Sequence, residues 1–225
     1  MQSLQAFPTT QAPTAEPARG CGVEFFPGAS LSGFTMRFER NEEIFGEQEE
    51  ADFAYKVIAG AVRTFRVLSD GRRQVVGFHL VGEMFGLERG PAHRFSAEAV
   101  SDCTIALVRR TAIDKAAQAD GDAARWLWGL ASGEMERLQD HAMRLGRMTA
   151  AERVSAFLLE MADRSPATGG VELPMSRCDI ADYLGLTVET VSRTLTQLER
   201  DQTIAIPSSR HILLNDRAAL AESDA

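Results

Sequence analysis

The sequence predicts an α+β protein in three parts: an N-terminal β-barrel or jelly roll, a long amphipathic helix, and a C-terminal helix-turn-helix with a trailing β wing. Three observations lead there. Short runs rich in Val, Ile and Phe, separated by Gly, Asp and Ser, fill residues 37–109. Near Asp120 the apolar period lengthens from two residues to about 3.5. Around Gly185 two short segments, each with an apolar stripe, meet at a glycine, as in a helix-turn-helix unit.

Size and composition bound what those parts can do. A chain of 225 residues, 44% hydrophobic and 25% charged, can bury a substantial core and suits two modest domains. No stretch approaches the roughly 20 apolar residues of a membrane-spanning helix, and the N-terminus lacks a secretory signal. A cytoplasmic location without a membrane partner is therefore expected. Cys21, Cys103 and Cys178 are odd in number and widely spaced, with no C-x-x-C pair and no histidine at metal-ligand spacing. They are expected to be free thiols, with no metal site. A formal charge of -8 opposes nucleic-acid binding by bulk attraction, because neutralised phosphates supply most non-specific affinity. A DNA-binding protein of this composition has to focus its basic groups on one surface.

Taken in order, residues 1–22 hold Pro8, Pro13 and Pro17 among Gln, Thr and Ala and are expected to form a flexible arm. Residues 23–119 are the β domain. Its clearest unit is a hairpin of segments 62–68 and 74–80, where Asp70-Gly71 supplies the positive φ angles of a tight turn. Segments 55–58, 94–100 and 103–108 extend the sheet. Short strands at this spacing suit a barrel or jelly roll.

Residues 120–147 form the long helix, in which Ala131, Met135, Leu138, Ala142 and Leu145 follow steps of four and three. Glu134, Glu136, Arg137, Asp140 and Arg144 occupy the opposite side. The apolar stripe either packs on the chain's own β domain or forms the seam of a homodimer, and its length and place between domains favour the seam. Residues 148–225 make the last domain. Thr149 with Glu152 is a capping box, and Val154, Phe157, Leu158 and Met161 point inward from the helix it starts. Pro166, Gly169 and Gly170 then make a loop over 165–170.

Ser176 caps a helix over 177–184, Gly185 breaks it, and Thr187 caps a second helix from Val188. Ile180, Ala181, Leu184, Leu186, Val191, Leu195 and Leu198 form the facing apolar stripes. Glu189, Ser192, Arg193, Thr196, Gln197 and Arg200 share the opposite face of the second helix, and all six can hydrogen-bond. Arg can donate two bonds to guanine in the major groove, Glu can accept from cytosine, and Ser suits several base edges. Glu189, Ser192 and Arg193 are therefore the expected base readers. Thr187, Thr190, Thr196, Gln197, Arg200, Arg177, Arg210 and His211 are the candidates for the DNA backbone. The wing is expected from strands over 203–207 and 210–214 joined at Ser208-Ser209. Alternatively, Glu189 only stabilises its helix by pairing with Arg193. Residues 149–225 hold seven Lys and Arg against twelve Asp and Glu, so specific contacts must outweigh bulk charge.

At this point the chain resembles the CRP/FNR family of bacterial regulators, over about residues 37–215, and within it the FNR/FixK branch. The most specific stretch is 173–198, LPMSRCDIADYLGLTVETVSRTLTQL. The resemblance implies a cyclic-nucleotide-binding-like β-roll, a dimerisation helix and a winged helix-turn-helix. It also implies a cytoplasmic homodimer that activates transcription with RNA polymerase from double-stranded DNA at a two-fold site. The E-x-x-S-R pattern on Glu189, Ser192 and Arg193 implies TTGAT half-sites in an inverted repeat, upstream of genes of low-oxygen respiration or nitrogen fixation. The CRP branch carries Arg where this chain has Val188, and Gly where it has Ser192.

A shared roll does not fix a ligand. Nucleotide-binding members use a G-E-L motif and an Arg-Ser pair; here segment 81–88 reads VGEMFGLE, with Glu88 displaced by one position, and Arg94 lacks an adjacent Ser. Gly82 and Gly86 are read as turn residues of the roll. FNR carries an iron-sulfur cluster on four thiolates, three of them near the N-terminus, where this chain offers only Cys21. No cluster and no cyclic nucleotide are expected. Cys178, in the first turn of its helix, is either a possible redox switch beside DNA or a small buried hydrophobe; Cys103 reads as core. No enzyme is expected, since His79, His93, His141 and His211 are scattered and neither G-x-S-x-G nor a phosphate loop occurs. The remaining alternative is a regulator that needs a small-molecule effector in the roll.

Overall fold

The computed structural model describes residues 21–26, 29–164 and 170–222. The expected arm lies outside them except for its last two residues, and there it is corrected: strand β1 (Cys21–Phe26) pairs antiparallel with β2 (Ala29–Phe38). Val23 and Phe25 are buried while Gly22 and Glu24 are exposed. This is a period-two strand that lies too close to the proline-rich segment to stand out from it.

The roll continues through β3 (Glu43–Phe45), β4 (Phe53–Ala59), β5 (Val62–Val67), β6 (Arg73–His79), β7 (Met84–Phe85), β8 (Ser96–Ala99) and β9 (Cys103–Arg109). Two sheets result, ordered β1-β2-β9-β4-β7 and β3-β8-β5-β6. Their facing sides enclose Phe38, Ile44, Tyr55, Val62, Phe85 and Ile105, with Cys103 in the same core as expected. His93 is also core, 1% exposed, stacked on Phe45 at 3.6 Å and 3.4 Å from Glu88. Gly82 and Gly86 have φ of 90° and 71°, the turn conformation anticipated for them.

The β5–β6 hairpin forms where expected but turns differently. Residues 68–72 link the paired Val67 and Arg73, and within them only Gly71 has a positive φ, 85°. Asp70 instead accepts from the Arg72 amide at 3.1 Å, an Asx-type turn. Further along β6, Thr64 faces Gly77 while Phe65 faces Val75, which leaves Val76 as an extra residue. That bulge turns Val75 and Phe78 to the same outer face. There, with Ala61, Phe65 and Val100, they join one core with Phe157, Ile180, Tyr183 and Leu184 of the C-terminal region.

A helix not anticipated, α1 (Arg110–Ala119), follows the roll and leads into α2 (Gly121–Arg147), whose N-cap Asp120 accepts from the Asp122 amide at 2.9 Å. Ala123, Trp126, Leu127 and Leu130 of α2 pack on the outer face of the five-stranded sheet with Ile113 and Val108. The long helix thus meets its own β domain through residues the heptad pattern did not single out. Ala131, Met135, Leu138 and Ala142 of the expected seam are exposed, and Leu145 lies half-buried beside Gly185.

Helix α3 (Ala150–Asp163) starts in the expected capping box of Thr149 and Glu152. Residues 165–169 of the expected loop lie outside the described residues. After β10 (Gly170–Glu172) come α4 (Arg177–Leu184), α5 (Val188–Arg200), β11 (Ile204–Ala205), β12 (His211–Leu214) and α6 (Arg217–Glu222). The wing sheet runs β10-β12-β11.

Histidines far apart in sequence meet in a cleft of about 150 Å³ lined by His79, His141, Glu83, Glu134, Arg164 and Tyr183. Among the described residues no serine, threonine or cysteine lines it. His79 stacks on Phe85 at 4.9 Å and sits 3.2 Å from the Thr64 hydroxyl, and burial pushes its pKa down to about 4. Burial lowers His141 as well. The unfolded chain therefore binds protons that the folded chain refuses between about pH 6.5 and 4, so this stability is complete above that window and lost as pH falls through it. Denaturant midpoints should drop from pH 7 to pH 5. Between pH 7 and pH 5, His79→Gln should flatten that slope by at most about 2 kcal/mol, less to the extent that the ring edge reaches solvent. An unchanged pH profile would rule His79 out as its source.

Candidate nucleic-acid interface

The local chemistry of residues 176–200 builds two helices at a fixed angle. Ser176 accepts from the Asp179 amide at 3.1 Å, and Asp179 accepts in return from the Ser176 amide at 3.0 Å, closing a capping box. Gly185 ends α4 with φ 64°, a left-handed cap that suits a residue without Cβ. Two residues on, Thr187 caps α5 by accepting from the Thr190 amide at 3.2 Å. Ile180, Ala181, Leu184, Val191 and Leu195 are buried, with Leu186 and Leu198 packed against them, so the two apolar stripes meet as the periodicity predicts.

Opposite that core, Glu189, Ser192, Arg193, Thr196, Gln197 and Arg200 are all exposed. Arg193 and Arg200 have no ion pair or side-chain hydrogen bond among the described residues, which leaves both guanidinium groups available. The Glu189 carboxyl is held below the usual carboxylate range by hydrogen bonds with its own amide and Thr187, with a further contribution from Arg193. It is an anionic acceptor at neutral pH. The expected alternative, in which Glu189 merely pairs with Arg193, is not what forms: no ion pair joins them. Two stripe members have internal bonds. The Thr196 hydroxyl donates to the Ser192 carbonyl at 2.9 Å, and Gln197 donates to the Asp201 carboxylate at 2.9 and 3.0 Å.

The proposed backbone contacts are more dispersed. Thr187 and Thr190 share a hydroxyl contact of 3.0 Å at the start of α5. Arg177 opens α4 half-buried, and desolvation lowers its pKa. His211 begins β12, and Arg210 lies just before it. His211 Nδ1 lies 3.1 Å from the Glu172 carboxylate, so β10 already engages its ring. Cys178 is exposed, against the reading of it as a buried hydrophobe, because α4 turns its second residue away from the core formed by Ile180, Ala181 and Leu184.

Three features escaped the sequence. Arg153 donates to the carbonyls of Leu145, Met148 and Leu184 at 2.9 to 3.0 Å, tying the end of α2 to the end of α4. Glu199 accepts from the Ile206 amide at 3.1 Å and anchors the wing to α5. Trp128 is 75% exposed on α2, three residues before Ala131, and extends the heptad spacing backwards. Only the last left a signal, the 3-4 spacing itself.

Comparison with known proteins agrees with this geometry. Residues 152–223 match the Crp-like helix-turn-helix domain, and residues 35–120 match the cyclic nucleotide-binding domain. The chain is 50% identical over 192 residues to the nitrogen fixation regulation protein FixK of Azorhizobium caulinodans, covering 83% of this chain and 77% of that protein. It is 44% identical over 192 residues to FixK of Rhizobium meliloti, covering 84% and 88% respectively. The solved structure of FixK2 from Bradyrhizobium japonicum matches with a TM-score of 0.83 and 49% identity, covering 87% of this chain and 98% of that one.

Proposed function

The chain belongs to the CRP/FNR family of transcription regulators, in its FixK group, and from that membership we propose that it acts as an effector-independent dimeric activator reading a TTGAT-type inverted repeat. Two copies joined along α2 place two copies of α5 in successive major grooves of double-stranded DNA, as the two-fold symmetry of such sites requires. The dimer recruits RNA polymerase in the cytoplasm, at promoters of low-oxygen respiration or nitrogen fixation. No helix of the described residues is long and apolar enough to cross a membrane. The observation that carries the reading is the exposed Glu189, Ser192 and Arg193 face, with Arg193 unpaired among the described residues.

The roll supports action without an effector, because its residues do not fit a cyclic nucleotide. Glu83, in the Gly-Glu segment, accepts from Arg164 at 3.0 and 2.7 Å and from the Leu80 amide at 2.8 Å. Arg94 is exposed, and the interior is filled by the rings of Phe45, Tyr55, Phe85 and His93. A reading without an iron-sulfur cluster is supported by Cys103 and Cys178 lying in different domains, one buried and one exposed.

Band-shift of reduced, effector-free protein on a TTGAT inverted repeat tests the proposal. Saturable binding, lost on a scrambled repeat, is expected; binding only after an effector is added would transfer the function to the effector-dependent alternative. The exposed Cys178 adds an arm. Peroxide oxidation to a sulfinate would put a negative charge at the start of α4, the helix that crosses the DNA backbone. Oxidised wild-type protein should bind more weakly while oxidised Cys178→Ser is unaffected, and equal behaviour of the two would remove Cys178 as a switch.

A further inference from the structure

Besides the Arg164–Glu83 pair at the end of α3, the C-terminal domain is held against the roll by polar contacts on helix α4. Arg73 of β6 donates to Asp179 at 2.6 Å and to Asp182 at 2.8 Å. Its neighbour Gln74 donates to the Asp182 carbonyl at 2.7 Å. Arg63 of β5, only 6% exposed, donates to Asp179 at 3.1 Å and also pairs with Glu98. Asp179, 3% exposed, is the residue that completes the capping box of α4. One buried carboxylate thus both starts the helix and receives two guanidinium groups from the β5–β6 hairpin. Burial alone would raise its pKa, but the Ser176 hydrogen bonds and the charges of Arg63 and Arg73 outweigh this and hold it lowered, so the contact is ionic at neutral pH.

Next to these bonds, apolar rings engage the same helix. Tyr183 packs on Phe78 of the roll at 5.3 Å and stacks on His141 of α2 at 4.1 Å. Helix α4 therefore meets both the hairpin and the long helix. Since α4 and α5 share a core across the Gly185 turn, any rotation of α4 is passed to the exposed face of α5. The apolar part of this contact holds the domains together without specifying an angle. Directional bonds to Asp179, Asp182 and the Asp182 carbonyl specify one.

We infer that Arg73 and Gln74, supported by Arg63, are positioning residues that fix α5 relative to α2 and thereby set the half-site spacing the dimer accepts. The inference rests on the reading of α2 as the dimer seam and of the α5 face as the base-reading surface. It assigns the hairpin a role where no effector acts: a permanent ionic seat for the DNA-binding domain.

Full-length Arg73→Ala/Gln74→Ala protein, compared with wild type by band-shift, provides the test. The probes are inverted repeats with the wild-type spacing and with one base pair added or removed. Wild type should prefer its own spacing strongly, because two linked helices must enter grooves at a fixed separation. The variant should lose about tenfold or more of that preference, an amount equivalent to one decade of binding constant. Arg73→Lys, which keeps a cation at the aspartates, should recover most of it. A purely stabilising role would lower affinity for all spacings in proportion and leave the preference intact, and that result overturns the inference. Should the double variant unfold, Gln74→Ala alone removes the bond to the Asp182 carbonyl and is held to the same criterion. Wild-type protein that binds no inverted repeat would overturn the functional reading and this inference together; a discriminating wild type with an equally discriminating variant overturns only the inference.

Discussion

Leu138→Glu is expected to run as a monomer in sedimentation and to bind an inverted repeat about 10²- to 10⁴-fold more weakly than wild type, the loss that follows when two linked sites become independent. The expectation comes from a row of apolar side chains that the single chain leaves uncovered. Trp128, Met135 and Leu138 are 75%, 54% and 52% exposed. With Ala131, Ala142 and Leu145 they continue one heptad series along α2, while Ala123, Trp126, Leu127 and Leu130 are committed to the roll. A helix with one apolar stripe packed on its own domain and a second exposed in heptad spacing is suited to meet its own copy. A glutamate in that seam would face its symmetry mate, adding like-charge repulsion to the desolvation of two carboxylates. A variant that remained dimeric would place the interface elsewhere on the molecule.

Arg193→Ala should cost about 1–3 kcal/mol of specific binding, the range for one bidentate contact between arginine and guanine. Arg193 makes no internal ion pair or hydrogen bond among the described residues, so its removal breaks nothing that holds α5 together. The fold, the melting temperature and the dimer should be unchanged. Lysine at this position keeps the charge but not the planar fork, and should recover attraction to DNA without recovering sequence preference. Undiminished preference in Arg193→Ala, measured as the affinity ratio between the TTGAT repeat and a scrambled one, would contradict the assignment.

What the sequence made legible was local. The capping box of Thr149 with Glu152, the Ser176 and Thr187 caps and the break at Gly185 each depend on residues close in sequence. They appear in the string as they do in space. The exposed face of α5 was equally legible, because a single helix fixes which residues share a side. Contacts between distant segments were not. Arg73 and Asp179 are 106 residues apart, and nothing in either neighbourhood announces that they meet. The same applies to His79 and His141, which looked unrelated and line one cleft. The hairpin turn was placed correctly but given the wrong conformation, since Asp70 hydrogen-bonds to the Arg72 amide instead of adopting a positive φ. On α2 the heptad pattern identified the stripe available to a partner, but not the adjacent face already covered by the β domain, because apolar residues occur on both.

The net acidity of the C-terminal domain is also resolved in physical terms. Several of its acidic groups face inward or toward the roll: Asp179 and Asp182 pair with Arg73, and Glu160 pairs with Arg144 and Arg164. The α5 face keeps Arg193 and Arg200 exposed and unpaired among the described residues. Charge is therefore sorted by surface, and the cations that remain are on the side proposed to meet phosphate and base.

The most direct measurement is selection from a library of inverted repeats with randomised half-sites, using reduced wild-type protein with no effector added. Enrichment of TTGAT in both arms at one fixed spacing is the predicted result, with that preference abolished in Arg193→Ala. Enrichment of an unrelated half-site, or no enrichment at all until a small molecule is supplied, would contradict the account.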